Sequence, residues 1–223
     1  MKAAAVDRRA DQLRITEIFL SLQGETTYAG LPTVFVRLTG CPLRCGYCDT
    51  DYAFSGGRLK GLAEILETVA GYGVSHVCVT GGEPLAQPGV LALLTALCDA
   101  GYRVSLETSG ALDIAGVDPR VARILDIKTP GSGEVGRNLW SNLEHLTAHD
   151  QIKFVLCDRA DYDWARLKCD ELSLTERAGE VLFSPSAGQL DARELAEWIV
   201  ADRLPVRLQL QLHKILWGNE PGR

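Results

Sequence analysis

The sequence predicts an α/β protein with a partial (β/α)6-type barrel, an incomplete form of the eight-unit barrel. Short apolar runs rich in β-branched residues alternate with amphipathic segments of helical spacing, and successive runs start about one βα unit apart. Six or seven such units fit the chain, fewer than the eight that close a standard barrel. An open doubly wound sheet is the second choice. Both folds put function at the C-terminal ends of the strands.

The predicted strands are apolar runs, most of them apolar on both faces, as buried parallel strands are. They cover 33–38, 76–80, 103–106, 123–127, 152–156, 181–183 and 206–212.

The predicted helices lie between these runs. Helical spacing of Leu and its neighbours marks 62–69, 90–97 and the region of 195–199. Pro88, Pro119 and Asp191 stand where helices would begin, and Gly101 where one would end. We expect one domain over residues 1–223, with short N-terminal and C-terminal segments bordering the substrate site.

Composition excludes several classes of protein. The chain has 223 residues, 46% of them hydrophobic and 23% charged, which is typical of a soluble globular protein. Acidic residues outnumber basic ones 29 to 23, so a nucleic-acid-binding protein with a basic face is disfavoured. No apolar stretch approaches the length of a membrane span, and the charged segment 1–12 does not resemble a signal peptide. We therefore expect a cytoplasmic protein without a membrane or nucleic-acid partner.

Three of the seven cysteines crowd into one loop after the first apolar run. Cys41, Cys45 and Cys48 have three and then two residues between them, with Tyr47 just before the third cysteine. Thiolates suit zinc or an iron–sulfur cluster, and no fourth ligand is evident nearby. An open coordination position indicates chemistry at the metal. The alternative is a binding module that is stabilised by zinc and has no catalytic activity.

The loops after the other apolar runs are also unusual, so glycine and polar residues gather at one rim of the predicted sheet. They include Gly81-Gly82-Glu83-Pro84, Glu107-Thr108-Ser109-Gly110, Lys128-Thr129-Pro130-Gly131, Ser184-Pro185-Ser186-Ala187 and His213-Lys214. Glycines without side chains let a backbone approach a ligand closely. Glu83 can accept from a ligand ammonium, or serve as an acid at the start of the helix that Pro84 opens.

The cysteine loop and the Gly81-Gly82-Glu83-Pro84 stretch together resemble the radical S-adenosylmethionine (SAM) superfamily. The resemblance implies a [4Fe–4S] cluster on Cys41, Cys45 and Cys48 whose open iron is chelated by S-adenosylmethionine. One electron then cleaves the cofactor to a 5′-deoxyadenosyl radical, so the radical is generated at the cofactor and no side chain is assigned as catalytic. The cofactor-binding residues implied are Tyr47, Gly81, Gly82, Glu83, Ser109, Gly110, Asp126, Ile127, Lys128, Ser184, Pro185, Ser186 and Ala187.

A narrower resemblance extends over most of the chain. The stretches Leu22-Gln23-Gly24-Glu25, Phe35 to Pro42, Cys48-Asp49-Thr50 and Gln211 to Lys214 are similar to those of 7-carboxy-7-deazaguanine synthases. This implies contraction of 6-carboxy-5,6,7,8-tetrahydropterin to 7-carboxy-7-deazaguanine with release of ammonia, in queuosine or other 7-deazapurine biosynthesis. It also implies Mg²⁺ on Thr50, an electron donor such as flavodoxin or ferredoxin, and a homodimer. The substrate residues implied are Leu22, Gln23, Gly24, Arg37, Thr108, His213 and Pro221.

Arg37 is also informative without the family. An arginine inside an apolar strand is costly unless it is paired. A substrate carboxylate is a fitting partner. A structural ion pair, for example with Glu107, is the alternative.

One alternative function and one departure from the family's sequence pattern bear on this resemblance. The same cluster loop occurs in activases that place a radical on a glycine of a partner protein. Many 7-carboxy-7-deazaguanine synthases carry glycine after the Leu-Gln-Gly-Glu motif, whereas this chain has Thr26, which puts the shape of that loop in question.

Overall fold

The computed structural model describes residues 12–218, 220 and 222, and in this part of the chain nine strands form one sheet. The order of the strands across the sheet is β3-β1-β2-β4-β5-β6-β7-β8-β9. The strands are β1 (Gln12–Leu22), β2 (Pro32–Leu38), β3 (Arg58–Gly61), β4 (His76–Gly81), β5 (Arg103–Thr108), β6 (Ala122–Asp126), β7 (Gln151–Leu156), β8 (Glu180–Pro185) and β9 (Arg207–Leu208).

The sheet is wound in one direction. From β2 through β9 every neighbouring pair is parallel, and apart from β3 the strands follow chain order, without the reversal of a doubly wound sheet. The sheet does not close, because β3 forms one edge and β9 the other. The predicted partial barrel is therefore confirmed.

Helices cover the outer face of the sheet. They are α1 (Leu62–Ala70), α2 (Val90–Asp99), α3 (Arg159–Glu171), α4 (Leu174–Arg177) and α5 (Ala192–Asp202), whereas α6 (Leu212–Trp217) borders the open end of the barrel. Asp191 caps α5 by accepting from the backbone N–H groups of Arg193 and Glu194, as expected at this helix start. Gly101 follows α2 with φ of +87°, a conformation that glycine adopts easily.

The hydrophobic core lies between the sheet and these helices. Leu93, Leu94 and Leu97 of α2 are fully buried there, and Phe154 and Phe183 pack edge to face beneath α3. Because the outer face carries this core, polar strand residues of the opposite face point into the barrel interior.

Several elements differ from the sequence-based expectation. β1 and β3 are antiparallel additions before and after β2, and β1 alternates exposed and buried residues at its start instead of forming a continuous apolar run. No helix begins at Pro119, since Asp118 holds a local turn through the backbone and side chain of Arg120. The predicted run 206–212 is strand only over β9, because Leu212 already begins α6. None of the described helices is both long and apolar enough to cross a membrane.

Candidate active site

One cavity of about 660 Å³ opens at the C-terminal ends of the parallel strands. It extends from the cysteine loop down to a floor inside the barrel, and the loops that follow β2, β4, β5, β6 and β8 border it. It brings together residues predicted from positions far apart in the sequence: Leu22, Gln23, Gly24, Arg37, Cys41, Cys45, Tyr47, Cys48, Thr50, Gly81, Gly82, Thr108, Ser109, Asp126, Lys128, Ser184, Pro185, Ser186, Ala187 and His213.

The cysteine loop is an irregular segment held by hydrogen bonds to backbone carbonyl groups. Gly46 N–H donates to the carbonyl of Ser132 at 3.0 Å, and Arg44 donates from its guanidinium to the carbonyl of Cys41 at 2.8 Å. All three thiols are free and half-buried. Burial raises the pKa of Cys41 and Cys45, and the ammonium of Lys128 opposes that shift. Binding a metal centre here therefore displaces protons from the thiols.

The three thiols do not converge on a single point. Among the described residues, no group of three or more His, Cys, Asp or Glu side chains lies close enough to hold one metal ion. A cubic iron–sulfur cluster gives each cysteine its own iron, so its ligands occupy separate corners. Three soft, half-buried thiols on one loop fit such a cluster.

The loop after β4 comes very close to the cysteine loop. A Cβ on Gly82 would overlap the carbonyl of Gly40 and the side chain of Cys41, and a Cβ on Gly81 would overlap the backbone of Leu38. Gly82 N–H donates to the carbonyl of Leu38 at 3.2 Å. Only glycine fits at either position, and the backbone edge thereby lies directly against the cysteines.

Two buried polar atoms near the cysteine loop lack a partner. They are the hydroxyl of Tyr47 and Oδ1 of Asp126, whose other oxygen lies 3.0 Å from the ammonium of Lys128. Burial, reinforced by the Asp126 carboxylate, raises the pKa of Tyr47, so its hydroxyl keeps its proton. An unpaired buried donor and acceptor in one cavity indicate a site for a polar ligand.

Glu83 does not line the cavity. Its fully buried carboxylate accepts from the backbone N–H of Leu85 at 2.9 Å, from the Thr108 hydroxyl at 3.0 Å and from the backbone N–H of Ser109 at 2.7 Å. Glu83 thus caps the short helix Pro84–Ala86, as in the alternative role expected for it, and its role toward a ligand ammonium stays a prediction. The same bonds staple the loop after β4 to the loop after β5.

The floor of the cavity is charged. Arg37 on β2 donates from Nε to Glu17 of β1 at 2.7 Å, so the ion pair considered for Arg37 exists but its partner is Glu17 instead of Glu107. Among the described residues, Nε makes the one side-chain hydrogen bond of Arg37, and the terminal guanidinium nitrogens donate to no carboxylate. Tyr52 also donates to Glu17, at 2.8 Å, which fixes this acceptor beside the arginine. Arg37 can therefore bind a second carboxylate with its free edge.

A buried ion pair joins the Leu-Gln-Gly-Glu loop to β7. Lys153 donates to Glu25, and their side chains are 13% and 12% exposed. Burial alone would lower the pKa of Lys153, but the carboxylates of Glu25, Asp126 and Glu107 outweigh it and raise that pKa. Burial would raise the pKa of Glu25, and the Lys153 ammonium outweighs it, so the pKa of Glu25 is lowered. Both groups are charged at neutral pH.

The C-terminal segment closes one side of the cavity. Leu212 N–H donates to the carbonyl of Gly24 at 2.8 Å, and a Cβ on Gly24 would overlap the imidazole of His213. Lys214 donates to Asp49 at 2.6 Å, directly after the third cysteine. Burial lowers the pKa of His213, so this imidazole is neutral near pH 7.

This chain is similar to known proteins over nearly its whole length. Residues 35–127 match the radical SAM superfamily. Two relatives named 7-carboxy-7-deazaguanine synthase, from Koribacter versatilis and Chlorobaculum tepidum, are 43% and 46% identical over 93% of this chain and 98% and 96% of their own length. The chain belongs to the 7-carboxy-7-deazaguanine synthase family.

A solved structure of the same fold agrees with this assignment. The crystal structure of QueE from Escherichia coli superposes with a TM-score of 0.74 at 25% identity, over 91% of this chain and 95% of that one. The superfamily implies an iron–sulfur cluster and S-adenosylmethionine, and the thiol loop and the glycine pair against it fit both groups. This chain is therefore a radical SAM enzyme of the 7-carboxy-7-deazaguanine synthase family.

Some residues expected to bind ligands in this synthase lie away from the cavity. Ile127 is a buried core residue that donates from its backbone N–H to Lys153, and Gly110 accepts from Leu139 and Asn142 behind the rim. Pro221 lies outside the described residues. The ligand roles expected for these three residues stay predictions.

Sequence reasoning missed Glu25, Glu107 and Lys153 as cavity residues. Lys153 shows the same sequence signal as Arg37, since it is a charged residue inside an apolar run. The signal for Glu25 was its place in the motif. Glu107 was considered only as an ion-pair partner.

The backbone at Thr26 has the conformation expected for the glycine that many family members carry there. Its φ is +66°, the left-handed conformation in which glycine is unstrained and a β-branched residue is not. The Thr26 hydroxyl accepts from the backbone N–H of Tyr28 at 3.2 Å, which offsets part of the strain. The loop therefore keeps a backbone conformation suited to glycine although the residue is threonine.

Proposed function

We propose that this protein converts 6-carboxy-5,6,7,8-tetrahydropterin to 7-carboxy-7-deazaguanine and ammonia, a carbon–nitrogen lyase reaction in 7-deazapurine biosynthesis such as that of queuosine. The observation that carries the proposal is a single cavity in which a thiol loop faces a charged floor with Arg37. The names of the relatives support the same reaction. No feature of the cavity favours an activase of a partner protein.

The rim residues hold the cofactors in this proposal. Cys41, Cys45 and Cys48 carry the [4Fe–4S] cluster, and the Gly81-Gly82 backbone receives the amino acid part of S-adenosylmethionine. When bound, these groups supply a carbon-centred radical that takes a hydrogen atom from the substrate. Tyr47 and Asp126 offer an unpaired hydroxyl and carboxylate oxygen to the nucleoside. The chain itself contributes position and exclusion of water.

The floor residues hold the substrate. Arg37 receives the substrate carboxylate on its free edge, since its Nε is already bound to Glu17. Gln23 is only 2% exposed, and its amide is fixed between the backbone N–H of Glu25 and the carboxylate of Glu107. His213 packs against Gly24 and covers the ring from the C-terminal side.

Magnesium belongs to the proposal as well. The Thr50 hydroxyl donates to Asp49 at 2.9 Å and lines the cavity at the end of the cysteine loop. We assign it as a protein ligand of Mg²⁺, with the remaining ligands from substrate oxygens and water, since Mg²⁺ prefers oxygen and retains waters.

The cellular setting follows from the same chemistry. A reducing cytoplasm suits a protein whose seven cysteines are all free. A flavodoxin or ferredoxin supplies the electron. The protein acts as a homodimer in this proposal, as the resemblance to the family implies.

The test is an anaerobic assay of the reconstituted protein with S-adenosylmethionine, a reductant, Mg²⁺ and 6-carboxy-5,6,7,8-tetrahydropterin, followed by mass spectrometry. Product is expected from the wild type and none from Cys45→Ala, which also loses cluster iron. Cys98→Ala, on α2 and outside the cavity, is the matched control and should keep both. Formation of 5′-deoxyadenosine without any 7-carboxy-7-deazaguanine would refute the substrate and leave the radical chemistry standing.

A further inference from the structure

The loop after β6 holds the cysteine loop on both sides of Cys45. The backbone N–H of Gly46 donates to the carbonyl of Ser132 at 3.0 Å. The backbone N–H of Arg44 donates to Oε1 of Glu134 at 2.6 Å. Because these two donors belong to the residues directly before and after Cys45, the backbone at this thiol is fixed from both sides by one neighbouring loop.

This loop, residues 129–134, is itself anchored to the barrel by Asp161 of α3. Oδ1 of Asp161 accepts from the backbone N–H of Gly131 at 2.8 Å. Its Oδ2 accepts from the hydroxyl of Thr129 at 2.9 Å and from the backbone N–H of Cys157 at 3.0 Å. Asp161 is only 1% exposed, so water does not compete for these bonds. Loop 129–134 is therefore a firm support for the cysteine loop.

The two acceptors of loop 129–134 differ in chemistry. Ser132 offers a backbone carbonyl, which any residue would supply, whereas Glu134 offers a side-chain carboxylate. The guanidinium of Arg44 is engaged elsewhere, since it donates to carbonyls of its own loop and lies 4.3 Å from the ring centroid of Phe54. The carboxylate of Glu134 therefore acts on the backbone N–H beside the thiol and brings a negative charge to it.

Backbone N–H groups of the cysteine loop are able to reach sulfur. The backbone of Leu43 is hydrogen-bonded to the thiol of Cys41, but the next N–H along the chain, that of Arg44, is bound to Glu134. Hydrogen bonds to sulfur and nearby charges set the reduction potential of an iron–sulfur cluster. Because reduction adds negative charge to the sulfurs, an N–H donor favours the reduced cluster and a carboxylate disfavours it. A sulfonium is hard to reduce, so a cluster that passes it an electron needs a low potential.

We propose that Glu134 is a positioning residue that lowers the reduction potential of the iron–sulfur cluster, because its carboxylate occupies the backbone N–H of Arg44 and places a negative charge beside Cys45. The step concerned is the addition of one electron from the external donor to the oxidised cluster, and Glu134 itself neither gains nor loses an electron or a proton. This inference rests on the cluster of the proposed function and is independent of the proposed substrate.

The experiment is an anaerobic redox titration of the reconstituted protein without S-adenosylmethionine, in which electron paramagnetic resonance measures the reduced cluster. At the potential that reduces half of the wild-type clusters, Glu134→Ala should hold about 3- to 10-fold more reduced than oxidised cluster, the range for one lost hydrogen bond. This ratio corresponds to a positive shift of about 30 to 60 mV for a one-electron couple. Glu134→Gln keeps an acceptor without the charge, so its potential should lie between those of the wild type and Glu134→Ala.

Glu144→Ala is the matched control. It removes an exposed carboxylate from the short helix Trp140–His145, so it changes the net charge as Glu134→Ala does, and it should keep the wild-type potential. The iron content of every variant should equal that of the wild type, because Ser132 still holds Gly46. Where Glu134→Ala loads less iron, the shift is measured on Glu134→Gln, and a wild-type potential in that variant then overturns the inference.

The outcomes separate this inference from the proposed function. A wild-type potential in Glu134→Ala, or an equal shift in Glu144→Ala, overturns the inference and leaves the proposed function standing. Equal potentials in Glu134→Gln and Glu134→Ala would show that the bond to Arg44 contributes nothing, and they overturn the positioning role too. Wild-type protein that holds no iron after reconstitution refutes the proposed cluster and this inference with it.

Discussion

The rim and the floor of the cavity are built from different parts of the chain. At the rim, Gly81 and Gly82 bring backbone against the cysteine loop, and the one acidic side chain of that motif, Glu83, points away into internal bonds. On the floor, Arg37, Glu107 and Lys153 project from β2, β5 and β7 as charged side chains.

This difference reflects two kinds of recognition. Backbone groups at the rim cannot change with sequence, so they suit cofactors shared by a whole superfamily. Side chains on the floor can change one by one, so they suit a particular substrate. Substitutions that add side-chain volume should therefore be most damaging at the rim, and substitutions that remove a charge should be most damaging on the floor.

The largest expected effect is at the rim. In Gly82→Ala the new methyl group would overlap the carbonyl of Gly40 and displace the cysteine loop. We expect more than about a 100-fold loss of product formation, as for an active-site displacement of about an ångström, together with less iron per chain after reconstitution. Gly136→Ala is the control, because a methyl group there meets open space. Normal iron content in Gly82→Ala would show that the rim tolerates volume.

A change of charge on the floor comes next. Lys153→Met leaves Glu25 buried without its cation, so unfolding by denaturant should become easier by about 3–5 kcal/mol. The double variant Glu25→Gln/Lys153→Met should recover much of that loss. Arg193→Met removes a surface pair with Glu197 and should change stability by less than about 0.5 kcal/mol. An effect of Lys153→Met as small as that of Arg193→Met would contradict a buried, charged floor.

Acid should weaken the floor in a defined direction. The folded-state pKa of Glu25 is depressed by Lys153, so its contribution to stability is present above the unfolded value of about 4.3 and is lost as pH falls below it. Denaturant midpoints at pH 7 and pH 4 should differ less in Glu25→Gln/Lys153→Met than in the wild type. The pKa of Asp150 is also lowered, through Arg123, so both proteins should still lose some stability between pH 7 and pH 4. An equal change in midpoint between the two pH values in both proteins would show that the acid sensitivity does not come from the Glu25–Lys153 pair.

The smallest expected effect is at Thr26, where the loop after β1 has a strained backbone conformation. Thr26→Gly relieves a positive φ and loses the bond to Tyr28, so we expect a net gain of up to about 1 kcal/mol in unfolding free energy. Thr27→Gly is the control of opposite sign, because Thr27 accepts from Gln151 at 2.8 Å and has no positive φ. A loss of stability in Thr26→Gly would mean that the Tyr28 bond outweighs the strain.

The sequence was sufficient for the alternation of strands and helices and for the cysteine loop. Apolar runs and helical spacing depend on local residue patterns, and β2, β4, β5 and β7 lie within a residue or two of the predicted runs. Asp191 and Gly101 mark helix ends because capping is also local. The thiol spacing and the glycine pair are contiguous motifs, so the radical SAM chemistry was evident from them.

Pairings between distant residues needed the tertiary structure. Arg37 binds Glu17 because an antiparallel strand lies beside β2, and nothing in the apolar pattern of 33–38 indicated that neighbour. Glu25 meets Lys153 across 128 positions, and Glu83 turns toward Thr108 instead of the cavity. Hydrogen bonds and ion pairs depend on angles and on distances of a few ångströms, which the packing of separate strands sets. The sequence thus determined which residue types are present for the chemistry, and the fold decided which of them face the cavity with a free edge.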